Sequence, residues 1–254
     1  MNHASTAKIS AAAGSAMDTC RRHGLALIPG ETVELYGKRY TAPSICPACE
    51  QERDAKDAAQ DARQREERFR RQQVHAGVSP RFAEASLDAF ITETPAQRDV
   101  LAVLRRFVET GGTDPANLIL AGTLGAGKTF AGYALVNFWL RAGRSAIFTT
   151  ALGLVRRIRD TYSSTEKEGA VMRRLASVGL LVIDECGVKT GSPSERALLA
   201  DVINSRYENV RPTAVIGNLT AGEFTEALGE RAMDRLKEKG RTLIFDWASR
   251  RGKA

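Results

Sequence analysis

The 254-residue chain contains no apolar run approaching the ~20 residues that a membrane-spanning helix requires. Its first thirty residues also lack the continuous apolar core of a secretory signal. Both absences predict a cytoplasmic protein with no membrane partner. Cysteine is scarce, with four residues at 20, 46, 49 and 186, and in a reducing compartment such thiols do not build a disulfide framework. No internal repeat is present, which argues against a solenoid. Acidic residues are outnumbered 30 to 37 by Lys and Arg, leaving a net charge of +7 that favours, weakly, an acidic partner such as nucleic acid. The chain as a whole is 43% hydrophobic, enough for one ordinary core plus a small appendage.

Residues 122–129 read Gly122-Thr123-Leu124-Gly125-Ala126-Gly127-Lys128-Thr129, the phosphate-cradling pattern G-x-x-x-x-G-K-[ST]. A strand-like apolar burst precedes it at 117–121, and a buried helical run beginning at Phe130 follows it. Glycines let backbone amides turn inward around an anion, and the helix presents its positive N-terminus to the phosphates. Lys128 is expected to reach the β- and γ-phosphates of a nucleoside triphosphate, and Thr129 to place its hydroxyl on Mg²⁺. Residues 178–185 form a second apolar strand that ends in Asp184 and Glu185. Asp184 is placed to hold Mg²⁺ and Glu185 to polarise the attacking water. A parallel sheet brings the carboxyl ends of its strands together, so loop and acids are expected to converge. Cys186 reads as packing behind the acids rather than reacting.

The other cysteines cluster near the start. Cys20 and His23 at C-x₂-H spacing, then Cys46 and Cys49 at C-x₂-C spacing, suit tetrahedral Zn²⁺. A hairpin between the pairs, with its turn at Gly37-Lys38, completes an expected small zinc-binding knuckle over residues 17–50. Residues 1–16 are Ala-, Ser- and Thr-rich and predict a disordered tail. Residues 51–76 form a charged helix, either a linker or a partner-binding arm, in which Phe69 is the large apolar residue of the stretch up to 73. The main domain is expected over 77–254, with Phe82, Leu87 and Phe90 anchoring its leading segment. A periodic helix at 97–110 leads to five strands, 117–121, 145–150, 178–185, 213–218 and 242–247, alternating with helices. That order predicts an α/β three-layer sandwich around a five-stranded parallel sheet. Asn218 ends the fourth strand, where an amide can bridge the attacking water and the γ-phosphate.

From about residue 77 onward the chain resembles the DnaC family of bacterial replicative helicase loaders, AAA+ ATPases related to the initiator DnaA, in a phage or prophage type of arrangement. The resemblance rests on residues 180–188, on Arg211-Pro212-Thr213 before the strand ending at Asn218, and on Leu228-Gly229-Glu230-Arg231-Ala232-Met233-Asp234-Arg235-Leu236 followed by Phe245-Asp246-Trp247. It implies an AAA+ P-loop fold, with ATP and Mg²⁺ bound at 122–130 and slow hydrolysis stimulated by DNA or a partner. The implied partners are a DnaB-like replicative ring helicase, single-stranded DNA and further copies of the chain, associated through the ATP site. It further implies that Arg235, with Arg231 as a second contact, reaches the triphosphate of a neighbouring subunit. Arg156, Arg157, Arg159 and Tyr162 fall where family members touch single-stranded DNA. The N-terminal knuckle departs from the helical helicase-gripping domain of the best-known loaders. Two other readings stay open: a transposition helper ATPase of the IstB type, and a non-catalytic scaffold ordered by ATP.

Overall fold

A computed structural model describes residues 18–163, 167–187 and 192–249. The expected tail at 1–16 lies outside the described residues. Those described fall into two compact units that divide at Glu67–Arg68.

In the first unit, isolated bridges pair Thr19 with Ala26 and Ile28 with Ile45. They flank an antiparallel hairpin of β1 (Thr32–Leu35) and β2 (Lys38–Thr41). Its two-residue turn is Tyr36-Gly37, with φ of 53° and 73°, one residue earlier than the sequence suggested. Positive φ at both turn positions gives the twist that matches the flanking strands. Helix α1 (Pro47–His75) then starts directly after Cys46.

The division falls inside α1 rather than at 76/77, because the last turns of the helix are not a solvated linker. Phe69 and Gln73 are buried, the Arg141 guanidinium lies 4.0 Å from the Phe69 ring centre, and Gln73 Nε2 donates to Asn137 Oδ1 at 2.9 Å. Asn137 Nδ2 in turn donates to the carbonyls of Phe82, Ala83 and Ala85. Two buried amides thus fasten the leading segment where apolar anchors alone were expected. Leu87 and Phe90 are buried beside them, and Phe82 stacks on Tyr133 at 4.6 Å.

The second unit continues with α2 (Pro95–Glu109), whose start is fixed by a Thr94/Gln97 capping box. Then come β3 (Asn117–Gly122), α3 (Lys128–Arg141), β4 (Ala146–Thr150), α4 (Ala151–Arg159), α5 (Glu168–Ser177), β5 (Leu180–Asp184), α6 (Pro193–Glu208), β6 (Thr213–Ile216), α7 (Ala221–Leu228), α8 (Glu230–Glu238) and β7 (Gly240–Phe245). The five long strands pair in parallel in the order β4-β5-β6-β3-β7. Alternate residues supply two separate cores. Leu118, Leu120, Leu180, Val182, Ala214 and Ile216 pack with α2 and α3 on one face. Ile119, Ala121, Leu181, Ile183 and Val215 pack with α4 to α8 on the other. The inner strands β3, β5 and β6, buried on both faces, need continuous apolar runs and have them, whereas the edge strand β7 alternates buried and exposed residues.

The fourth and fifth strands end earlier than expected. Asn218 lies two residues beyond β6 in an exposed turn, and Trp247 lies two beyond β7. Among the described residues no helix is long and apolar enough to cross a membrane.

Candidate functional site

Residues 123–127 connect β3 to α3 at the carboxyl edge of the sheet. Gly122 has φ 127°, and a Cβ there would sit 2.2 Å from the Phe245 carbonyl oxygen, because β3 and β7 remain paired to their last residues. Gly127 caps α3 with φ 99° and no side-chain bond, which leaves the first helical amides without a side-chain acceptor.

Lys128 is buried, and its Nζ donates to the carbonyls of Gly122 at 2.9 Å and Thr123 at 2.6 Å, arching across its own loop. Thr129 Oγ1 donates to Asp184 Oδ2 at 2.8 Å. The Glu185 amide donates to Asp184 Oδ1 at 2.7 Å. Burial pushes the Asp184 carboxyl above the ordinary carboxylate range, opposed by the two hydrogen bonds and by the Lys128 charge. β5 ends at Asp184, and Glu185 takes a left-handed φ of 56° with an exposed side chain. Cys186 is fully buried, its thiol pushed up to about 12 by burial, consistent with a packing role.

β6 separates β3 from β5, so its exit, including Asn218, lies between the phosphate loop and the two acids. The Gly217 amide binds the Leu120 carbonyl at 3.1 Å. No hydrogen bond among the described residues joins Asn218 to Asp184 or Glu185.

An apolar cleft of about 210 Å³ opens beside the loop, lined by Phe90, Ile91, Phe130 and Trp247 together with Gly125 and Ala126. Leu124 is exposed. Trp247 Nε1 donates to the Ala126 carbonyl at 2.8 Å. The Thr123 amide donates to Phe245 O at 2.8 Å, and its hydroxyl to Trp247 O at 3.0 Å. The loop is therefore strapped to the exit of β7. Sequence reading missed this strap because it placed Trp247 inside a strand; the cue was an indole N–H needing an acceptor.

Arg231 is exposed on α8. Arg235 lies over the Tyr207 ring at 4.5 Å, with its Nη1 3.8 Å from Glu238 Oε2 and its buried Nε unpartnered. Tyr207 donates to the same carboxylate at 2.5 Å. The Arg235 carbonyl accepts from Asn117 Nδ2 at 3.4 Å. Asn117 opens β3, whereas the phosphate loop follows its last residue, so the Arg235 backbone sits at the opposite edge of the sheet, about 16 Å away along the strand. Arg156, Arg157 and Arg159 are exposed on α4. Arg159 is engaged with Glu195 and Ser194. The Tyr162 side chain lies outside the described residues.

In the first unit, one ligand atom from each of Cys20, His23, Cys46 and Cys49 lies within 4.8 Å of the others. Cys20 Sγ is 3.7 Å from Cys49 Sγ. His23 Nδ1 lies 3.8, 3.6 and 3.3 Å from the sulfurs of Cys20, Cys46 and Cys49. A tetrahedron with Zn–S of about 2.3 Å and Zn–N of about 2.0–2.1 Å has edges of this length, so the donor set fits zinc. Glu52 accepts from His23 Nε2 at 3.1 Å, which presents Nδ1 as the free ligand nitrogen. Sequence reading passed over Glu52, although it sits three residues after Cys49 on the same helix. Backbone amides of His23 and Arg22 pull the Cys20 thiol down to about 6, and its bond to Cys20 raises Cys49 to about 11.

A parallel three-layer sheet with a phosphate loop, a buried strand-end aspartate and an adjacent glutamate defines a P-loop nucleotide-binding protein of the AAA+ class. The sequence family described as IstB-like ATP binding protein matches residues 57–246. The replicative helicase loader DnaC of Escherichia coli (strain K12) is 31% identical over 201 residues, 78% of this chain and 82% of that protein. The chain belongs to this IstB/DnaC-like family of AAA+ proteins. The crystal structure of the DnaC helicase loader superposes with a TM-score of 0.58 at 21% identity, over 65% of this chain and 99% of that one. The replication initiator DnaA bound to AMPPCP and single-stranded DNA gives 0.58 at 17% identity, over 67% of this chain and 51% of that one. These two likenesses establish the shared fold.

Proposed function

We propose that the chain is an ATP-dependent loader of a DnaB-like replicative ring helicase, binding ATP, Mg²⁺ and single-stranded DNA and assembling through its ATP site. The observation that carries this reading is the arrangement of Lys128, Thr129, Asp184 and Glu185 at one edge of the sheet, with Arg235 at the other. Phosphates would lie against the amides of residues 125–129, and Lys128 would exchange its loop carbonyls for phosphate oxygens. The base would enter the cleft of Phe90, Phe130 and Trp247. Thr129 and Asp184 would hold Mg²⁺, which supplies charge neutralisation when bound. Glu185 would orient and deprotonate the attacking water, and Asn218, between loop and acids, would sense the γ-phosphate.

An extended arginine side chain is far shorter than the ~16 Å along β3, so Arg235 would reach the triphosphate of an adjoining copy, with Arg231 beside it. Arg156 and Arg157 are exposed for phosphates of a DNA strand. Cys20, His23, Cys46 and Cys49 would hold one structural Zn²⁺. Similarity to DnaC along most of its length supports the loader role.

Lys128→Ala is expected to abolish ATP binding. Glu185→Gln is expected to keep binding while turnover falls by about 10²–10⁴-fold. Phosphate-release and nucleotide-binding assays check both, and unchanged turnover in Glu185→Gln would refute the hydrolytic assignment. The matched family description favours one other reading, a transposition helper ATPase of the IstB type. Retention of a transposase rather than a ring helicase in a pull-down would select it. Absence of phosphate release under every DNA condition would instead select a non-catalytic scaffold.

A further inference from the structure

The hairpin between the two zinc-ligand pairs carries chemistry that neither the nucleotide site nor the zinc cluster uses. Register pairing puts Val33 opposite Tyr40 and Leu35 opposite Lys38 on one face, and Thr32 opposite Thr41 and Glu34 opposite Arg39 on the other. The second face is polar, with a Thr32–Thr41 hydroxyl contact of 2.9 Å. On the first, Val33, Leu35 and Tyr40 are all exposed, Tyr40 at 53%, and Tyr36 at the tip is fully exposed. Lys38 and Arg39 are exposed and have no ion-pair partner among the described residues. Two rings and two cations therefore occupy five consecutive residues, Tyr36-Gly37-Lys38-Arg39-Tyr40, with Arg39 opposite Glu34 on the polar face.

Tyr36 is unusual in a second way. It holds φ 53° at a turn position that favours Asn or Gly, so a bulky residue is kept in a strained conformation with its ring touching nothing. Strain at a residue with no packing role points to a contact made outside the chain. We propose that this hairpin is a second contact for single-stranded nucleic acid: bases stack on Tyr36 and Tyr40, and Lys38 and Arg39 neutralise the flanking phosphates. Stacking platforms beside unpaired cations are what sequence-tolerant strand binding requires. The site stands apart from the ATP chemistry and needs no nucleotide.

The test uses the full-length, zinc-loaded protein without nucleotide and follows fluorescence anisotropy of labelled oligo(dT), with oligo(U) in parallel. Tyr36→Ala combined with Tyr40→Ala should weaken oligo(dT) binding by about tenfold or more, given ~1–3 kcal/mol of stacking per base. Lys38→Gln combined with Arg39→Gln should reduce the salt slope by about 1.4, at ~0.7 per phosphate. Zinc content and ATP hydrolysis should stay at wild-type levels in both, since all four side chains lie on the surface. Equal losses on oligo(U) assign the shared strand chemistry, and losses confined to oligo(dT) assign DNA. Unchanged affinity in both double variants would overturn the proposal, as would loss of helicase retention with strand binding intact. If wild-type protein hydrolyses no ATP yet these variants still lose oligo(dT), the loader reading fails and the hairpin site stands.

Discussion

Two buried ionisable side chains in the nucleotide-binding unit have opposite consequences. Asp184 accepts two hydrogen bonds, but burial dominates and raises its pKa, so the folded state binds its proton more tightly than the unfolded chain does. Its contribution to stability is present below the ordinary carboxylate pKa and is lost as pH rises through the folded-state value. Asp184→Asn should therefore raise the Tm of nucleotide-free, Mg²⁺-free protein at neutral pH, with the gap closing under acidic conditions, while abolishing Mg²⁺-dependent turnover. A Tm below wild type at neutral pH would contradict this. Arg206 carries the same burial penalty on its charge but satisfies several buried acceptors. Fully buried, it donates to the carbonyls of Leu175, Val178 and Pro212 and to Thr213 Oγ1, tying α5, α6 and β6 together at the amino edge of the sheet. Burial lowers its pKa to about 9. Arg206→Ala leaves the Leu175 and Val178 carbonyls unsatisfied, while Pro212 O keeps the Leu181 amide; at ~1–3 kcal/mol each, urea unfolding should show a loss of at least about 2 kcal/mol.

At the scale of elements, what the sequence made legible follows from contiguity. Gly122 to Thr129 are consecutive, and Asp184-Glu185 end a strand whose apolar run announces it, so their spatial meeting could be expected from parallel-sheet topology alone. The inner strands β3, β5 and β6 were visible for the same reason, since strands buried on both faces need unbroken apolar runs. The strand order was not, because insertion of β6 between β3 and β5 depends on crossovers that no local pattern encodes. Contacts between single polar residues distant in sequence were equally hidden: Gln73 with Asn137, Trp247 with Ala126, Arg235 with Tyr207. The Cys20, His23, Cys46 and Cys49 group was visible from spacing, and the closeness of its donor atoms carries a prediction for the proposed zinc site. Metal analysis of purified protein should find about one Zn per chain, with Cys46→Ser losing it and the hairpin unfolding. Metal-free protein with an intact N-terminal unit would contradict that assignment.

For the whole molecule, the decisive feature is that the phosphate loop and the Arg235 helix occupy opposite edges of one sheet. In the proposed assembly one edge meets the other edge of the next copy head to tail, and each interface would hold one complete site. In the free chain Arg235 rests on Tyr207 and Glu238; in the proposed assembly it would leave them to meet a neighbouring triphosphate. Mixing two inactive variants tests this most directly. Glu185→Gln lacks the base and Arg235→Ala lacks the arginine, but a site formed by the base of the second variant and the arginine of the first is intact. Phosphate release should be near background for each variant alone, and an equal mixture should recover about a quarter of wild-type turnover, the share of interfaces with both groups present. A mixture that stays inactive, or an Arg235→Ala protein that hydrolyses ATP normally by itself, would contradict a site shared between copies.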